Sequence, residues 1–126
     1  MSLIKGIHHA CLKCSEDELS KVINFYQDVL GLKVIRQWAT GIMFDTGDGI
    51  IEVFTNGEHQ YPQGMIRHFA FATDDVDSCV KAVTDAGYDV FDGPRDACIP
   101  SDPPYEIRVA FCHGPLGEEV EFFQER

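Results

Sequence analysis

The sequence predicts an α+β protein made of two βαβββ modules in tandem. Three observations carry that prediction: a motif that returns after about 60 residues, a helix-period stretch that follows it both times, and a glycine-led strand with a central carboxylate that closes each half. The motif is a histidine in a strand-like run with an acidic residue seven positions on, His9 with Glu16 and His68 with Asp75. Ala10-Cys11-Leu12-Lys13 and Phe69-Ala70-Phe71-Ala72 fill the intervals and read as strands.

The remaining elements follow in order. Leu19, Val22, Ile23, Tyr26, Val29 and Leu30 fall at helical spacing in the first half, as do Val76, Cys79, Val80, Val83 and Ala86 in the second. Gly31 and Gly87 suit the left-handed conformation just past a helix end. Extended segments come next, Lys33 to Gln37 and Tyr88 to Asp92, with turns at Ala39 to Gly41 and Thr46 to Gly49. Gly49-Ile50-Ile51-Glu52-Val53-Phe54 and Gly117-Glu118-Glu119-Val120-Glu121-Phe122-Phe123 are the closing strands. The stretch from Gly93 to Pro104, with Pro94, Pro100, Pro103 and Pro104, is too long for a tight turn and predicts a lid or surface loop. Asn56 to Gly64 joins the halves, giving modules of about 1–57 and 66–126 in one domain spanning 1–126. Helices covering one face of each sheet complete the α+β architecture.

Composition bounds the function. A chain of 126 residues that is 44% hydrophobic and 25% charged can bury roughly two thirds of its unfolded surface. That excludes disorder, and no apolar run approaches a membrane span. Met1 to Gly6 lack the long apolar core of a secretory signal, which predicts a cytoplasmic protein. The net charge is −11, with five basic against eight acidic residues up to Gln63 and five against thirteen beyond it. Such a field repels a phosphate backbone, so nucleic acid is excluded as a partner. The acidity serves solubility, or attracts a cationic ligand. Five cysteines, an odd set, predict reduced thiols. Cys11 and Cys14 spell C-x-x-C, but residues three apart on a strand point to opposite faces, and no second C-x-x-C completes a zinc site. Both are read as small core residues.

Alternation along the strands converts the repeat into a candidate site. If Ala10, Leu12 and Cys14 face the first helix, His9, Cys11 and Lys13 face away from it; if Phe69 and Phe71 lie under the second, His68, Ala70 and Ala72 do not. By the same rule Ile51, Val53, Val120 and Phe122 take the helix side, leaving Glu52 and Glu121 opposite, beside Ile50 and Phe54 or Phe123. A carboxylate among apolar neighbours is costly without a partner. One His and one Glu per repeat, on the non-helical faces, make a ligand set for a divalent cation. His8, expected on the face opposite His9, is left outside the set.

Ile7-His8-His9-Ala10-Cys11-Leu12-Lys13, Asn24-Phe25-Tyr26, Val29-Leu30-Gly31 and the His68 and Glu121 strands resemble the vicinal oxygen chelate superfamily. Its members include glyoxalase I, methylmalonyl-CoA epimerase, fosfomycin resistance enzymes, extradiol dioxygenases and bleomycin resistance proteins. The resemblance runs over essentially the whole chain and implies paired βαβββ modules forming cupped mixed sheets around a metal. It places His9, Glu52, His68 and Glu121 on the four ligand positions, a set similar to that of glyoxalase I, and implies a homodimer. Gly114-Pro115-Leu116-Gly117 stands where the family usually has Asp-Pro-x-Gly.

The function so implied is that of a metal-dependent lyase or isomerase acting on a small substrate with neighbouring oxygens, a thiol adduct such as a hemithioacetal among them. Nickel or zinc leads the candidate metals, with cobalt, manganese or iron also compatible. Glu121 and Glu52 are the candidate proton-transfer residues, and Lys13, Arg108, Phe54 and Phe123 the candidate substrate contacts. Two alternatives stand beside this one: epimerase or fosfomycin-type ring-opening chemistry, and a metal-free binder similar to bleomycin resistance proteins.

Overall fold

The computed structural model describes residues 2–3 and 5–126. It divides into two units, one up to Tyr61 and one from Pro62 onward. The first holds β1 (His9–Lys13), a helical segment, β2 (Lys33–Trp38), β3 (Gly41–Asp45) and β4 (Ile50–Phe54). These strands form one sheet in the order β1-β4-β3-β2, with β1 parallel to β4 and the other pairs antiparallel. The helical segment enters through a 3₁₀ turn at Glu16–Glu18, continues as α1 (Leu19–Ile23) and ends in a π-helical stretch, Asn24–Val29. Its cap is Ser15, one residue before Glu16: the Ser15 backbone N–H and hydroxyl both donate to Glu18 Oε1 at 3.0 Å. Val22, Phe25 and Tyr26 are buried completely, as are Ile42, Phe44 and Val53, and the Tyr26 and Phe44 rings lie 5.5 Å apart. Gly31, at φ +78°, releases the chain into β2.

The second unit repeats the plan with β5 (Phe69–Ala72), α2 (Val76–Asp85), β6 (Val90–Ile99), β7 (Tyr105–His113) and β8 (Glu119–Glu125), in the order β5-β8-β7-β6. Asp75 caps α2 by accepting from the Ser78 backbone N–H at 3.0 Å and its hydroxyl at 2.6 Å. Val76 and Val83 of α2 are buried, and so are Ala110, Cys112, Val120 and Phe122 of the sheet. Phe71 stacks on Phe122 with ring centroids 6.4 Å apart.

The expected loop from Gly93 to Pro104 is corrected: β6 runs through Gly93 and Pro94 to Ile99, leaving only a short link before Tyr105. Proline survives because β6 is an edge strand whose pairing skips from Asp92 to Arg95. Gly93 is required there, since its φ is +83° and a Cβ would stand 2.5 Å from the Val109 carbonyl oxygen. The cysteines separate too. Cys14 and Cys112 are buried, whereas Cys11 and Cys98 are exposed, so Cys11 is not the core residue expected. No helix among the described residues is long and apolar enough to cross a membrane.

Candidate functional site

Each unit brings its own histidine and glutamate together by the same register. In the first, Cys11 lies directly opposite Glu52, and His9, two residues earlier on β1, shares that face. In the second, Ala70 lies opposite Glu121, and His68 again stands two residues earlier. His9 Nε2 is 3.4 Å from Glu52 Oε1, and His68 Nε2 is 3.1 Å from Glu121 Oε1. The carboxylates are buried, 7% exposed for Glu52 and 8% for Glu121, while both imidazoles are partly open to solvent. Burial pushes the Glu121 carboxyl up from its ordinary range, against the opposing pull of His68 and Arg95.

The donor chemistry fits a divalent ion. Nitrogen and oxygen ligands each about 2.1 Å from one metal lie ~3.0 Å apart at a right angle and ~3.4 Å apart at the tetrahedral angle. Both pairs have separations of that size, which are equally those of the direct imidazole–carboxylate ion pairs they form here. Within each unit the donors come as a pair; among the described residues no group of three or more His, Cys, Asp or Glu side chains is gathered to hold a metal ion.

The remaining candidates fall in different places. Phe54 and Phe123 share the faces of Glu52 and Glu121, each half-buried, Phe54 edge-on to Trp38 at 5.9 Å and Phe123 beside Tyr105 at 5.9 Å. Lys13 is exposed on the Glu52 face with its stem against Gly57. Arg108 does not join Glu121. It is paired with Gln124, so it lies on the α2 face, where Nη2 and Nε reach Asp77 at 2.8 and 3.2 Å and Nη1 reaches Asp96 at 3.0 Å. Its guanidinium is held by two carboxylates on the wrong side of the sheet for a substrate contact beside Glu121. His8 departs from expectation as well: it precedes β1, and its Nδ1 lies 2.9 Å from His9 Nδ1.

Two residues of these faces were not among the sequence candidates. Cys11 sits against Glu52, where burial and that carboxylate push its thiol up. Trp38 lies across Gly41, close enough that a Cβ on the glycine would fall 2.1 Å from the indole. Its signal in the sequence was only its being the chain's single tryptophan.

The comparisons agree with this architecture. The model of the Glyoxalase/Bleomycin resistance protein/Dioxygenase superfamily matches residues 6–122, and the chain belongs to that superfamily. The fold is shared with the antibiotic-binding protein TnmS3 from Streptomyces sp., at 20% identity and a TM-score of 0.74 with all of both chains covered. It is shared too with a glyoxalase/bleomycin resistance protein/dioxygenase from Alicyclobacillus acidocaldarius, at 18% identity and a TM-score of 0.69, covering 95% of this chain and 91% of that one. No curated protein matches the sequence.

Proposed function

We propose that the protein is a metal-dependent lyase or isomerase, similar to glyoxalase I, working as a homodimer on a small substrate with neighbouring oxygens. His9, Glu52, His68 and Glu121 are its ligand set. The observation that carries this reading is the doubled register: in both units a buried carboxylate stands one strand away and two positions on from an imidazole, at ligand-like separation. Such placement has no role in the hydrophobic core, since both pairs face away from the helices.

A divalent ion held by these donors would supply Lewis-acid stabilisation of negative charge developing on the substrate. The chain's residues do the rest. Glu121, or Glu52 in the other unit, accepts a proton from carbon and returns it at the neighbouring carbon. The paired imidazole orients each carboxylate, and the surrounding aromatic side chains keep bulk water from it. The test is turnover of hemithioacetals and other vicinal-oxygen compounds by the metal-loaded protein. Glu121→Gln and Glu52→Gln should each abolish it; full activity in Glu121→Gln contradicts the reading.

A second reading is a metal-free binding protein. The fold shared with an antibiotic-binding protein and the net charge of −11 support it, the charge suiting a cationic ligand. Elemental analysis of the purified protein separates the two. Stoichiometric metal supports the enzyme; saturable binding of a cationic drug without metal supports the binder.

A further inference from the structure

The two carboxylate-bearing faces are built differently, and the difference points to the substrate. One row of cross-strand partners on the Glu52 face runs Lys13, Phe54, Gly41, Trp38 through all four strands of the first sheet. Residues two apart on a strand share a face about 6.8 Å from each other, so this row lies immediately beside the one of Cys11, Glu52 and Met43. Gly41 makes it a platform: without a side chain there, the indole of Trp38 lies down on the sheet and meets the Phe54 ring edge-on at 5.9 Å. Trp38 as a whole is 37% exposed, so it is not closed over.

Trp38 reaches this face because of a defect in the ladder. The β2–β3 register slips between Val34 and Arg36, leaving Ile35 as an extra residue. Bulges re-aim the side chains that follow them. Here the bulge turns both Arg36 and Trp38 to the Glu52 side, where plain alternation from Lys33 would have sent them to the helix side. Arg36 contacts Met43 Sδ at 3.6 Å, and neither it nor Lys13 makes an ion pair among the described residues. Two uncompensated cations flank an aromatic floor in a chain of net charge −11. In the second unit the corresponding row is Ala72, Phe123, Val109, Arg95, and its cation is neutralised by Asp92 at 2.8 Å.

We infer that the row Lys13, Phe54, Gly41, Trp38 is a specificity subsite for an aromatic carboxylate, its ring on the Phe54–Trp38 platform and its anionic group on the Lys13 ammonium. A planar ring gains by stacking on the open indole with Phe54, turned 75° from it, at its edge, and a carboxylate supplies the partner that Lys13 lacks. This rests on the reading above only for the chemistry that follows binding. It narrows the substrate class from any vicinal-oxygen compound to aryl-substituted hydroxy or keto acids.

The single tryptophan is its own reporter. Full-length protein, treated with chelator or loaded with metal, is titrated with 3-phenyllactate, 3-cyclohexyllactate and lactate while Trp38 emission is followed. Phenyllactate should give a saturable change in both forms, cyclohexyllactate should bind several-fold more weakly, and lactate should not saturate over the same range. Lys13→Met, which keeps an unbranched apolar stem against Gly57, should weaken phenyllactate about tenfold, the size expected for losing a charged hydrogen bond. Gly41→Ala should displace the indole and weaken phenyllactate as well. Absence of saturation in both forms, an equal response to lactate, or unchanged affinity in Lys13→Met overturns the subsite. Saturation in a protein that takes up no metal upholds the subsite and removes the metal reading; metal uptake without saturation does the reverse.

Discussion

Adjacent phenylalanines on β8 give a sharp test of how the strand presents Glu121. Phe122 is 2% exposed on the face that α2 covers, stacked with Phe71. Phe123 is half-buried on the Glu121 face, with Tyr105 as its ring neighbour. Truncating a fully buried phenylalanine costs the lost transfer energy plus that of the cavity left behind, about 3–5 kcal/mol. Phe123→Ala loses a partial burial and one aromatic contact, on the order of 1–2 kcal/mol. Urea unfolding of both variants should show Phe122→Ala the less stable by at least ~1 kcal/mol with an unchanged m-value. For a chain of this length each kcal/mol is about 3–6 °C in Tm, so the two melting curves should separate clearly. Equal costs, or a larger one for Phe123→Ala, would mean that the alternation assigned to β8 is wrong. Glu121 would then face the helix and could not serve as a ligand.

Other expectations concern groups outside the ligand pairs. Arg108→Met should leave metal uptake and phenyllactate affinity unchanged while lowering Tm, and the difference in Tm should shrink in high salt because the Asp77 and Asp96 partners are solvent-exposed. The Ser78 hydroxyl and backbone N–H hold the Asp75 carboxyl below the usual carboxylate range. The folded state therefore binds this proton less readily than the unfolded one, and the cap's contribution is present above the ordinary carboxylate range and lost as pH falls through the lowered value. In Tm measured against pH, the advantage of wild type over Asp75→Ala should accordingly vanish in acid. Thiol labelling mapped by mass spectrometry should modify Cys98 first. Cys11 should follow more slowly, because burial and Glu52 push its thiol up. Cys14 and Cys112 should react only on unfolding, Cys112 being pushed up to about 12 by burial.

Much of this was legible in the chain because the repeat compares the protein with itself. The strand alternation placed His9 and Glu52 on one face and His68 and Glu121 on another, and the helix-ending glycines fell where the left-handed turns are. What stayed hidden depends on pairing between strands. Alternation within β7 gives two facing choices for Arg108, and only its partners Gln124 and Asp77 decide between them. The bulge at Ile35 breaks the two-residue period, so nothing local showed that Trp38 would end beside Phe54. Pro94 read as a loop residue because a proline in a paired strand is excluded except at an edge or bulge, and being an edge is a property of the whole sheet. Exposure of Cys11 follows instead from its facing away from the helix: on β1 the residues of that face, His9, Cys11 and Lys13, are exposed while Ala10 and Leu12 are half-buried.

Under the proposed function His9, Glu52, His68 and Glu121 are the ligands of a divalent ion. Crystals of the metal-loaded protein, measured at the metal's absorption edge, test it most directly. A single strong anomalous peak per site is expected, about 2.0–2.2 Å from a nitrogen of His9 and His68 and an oxygen of Glu52 and Glu121. A peak touching only one pair, or one held by other residues with these four still paired as they are now, would contradict it.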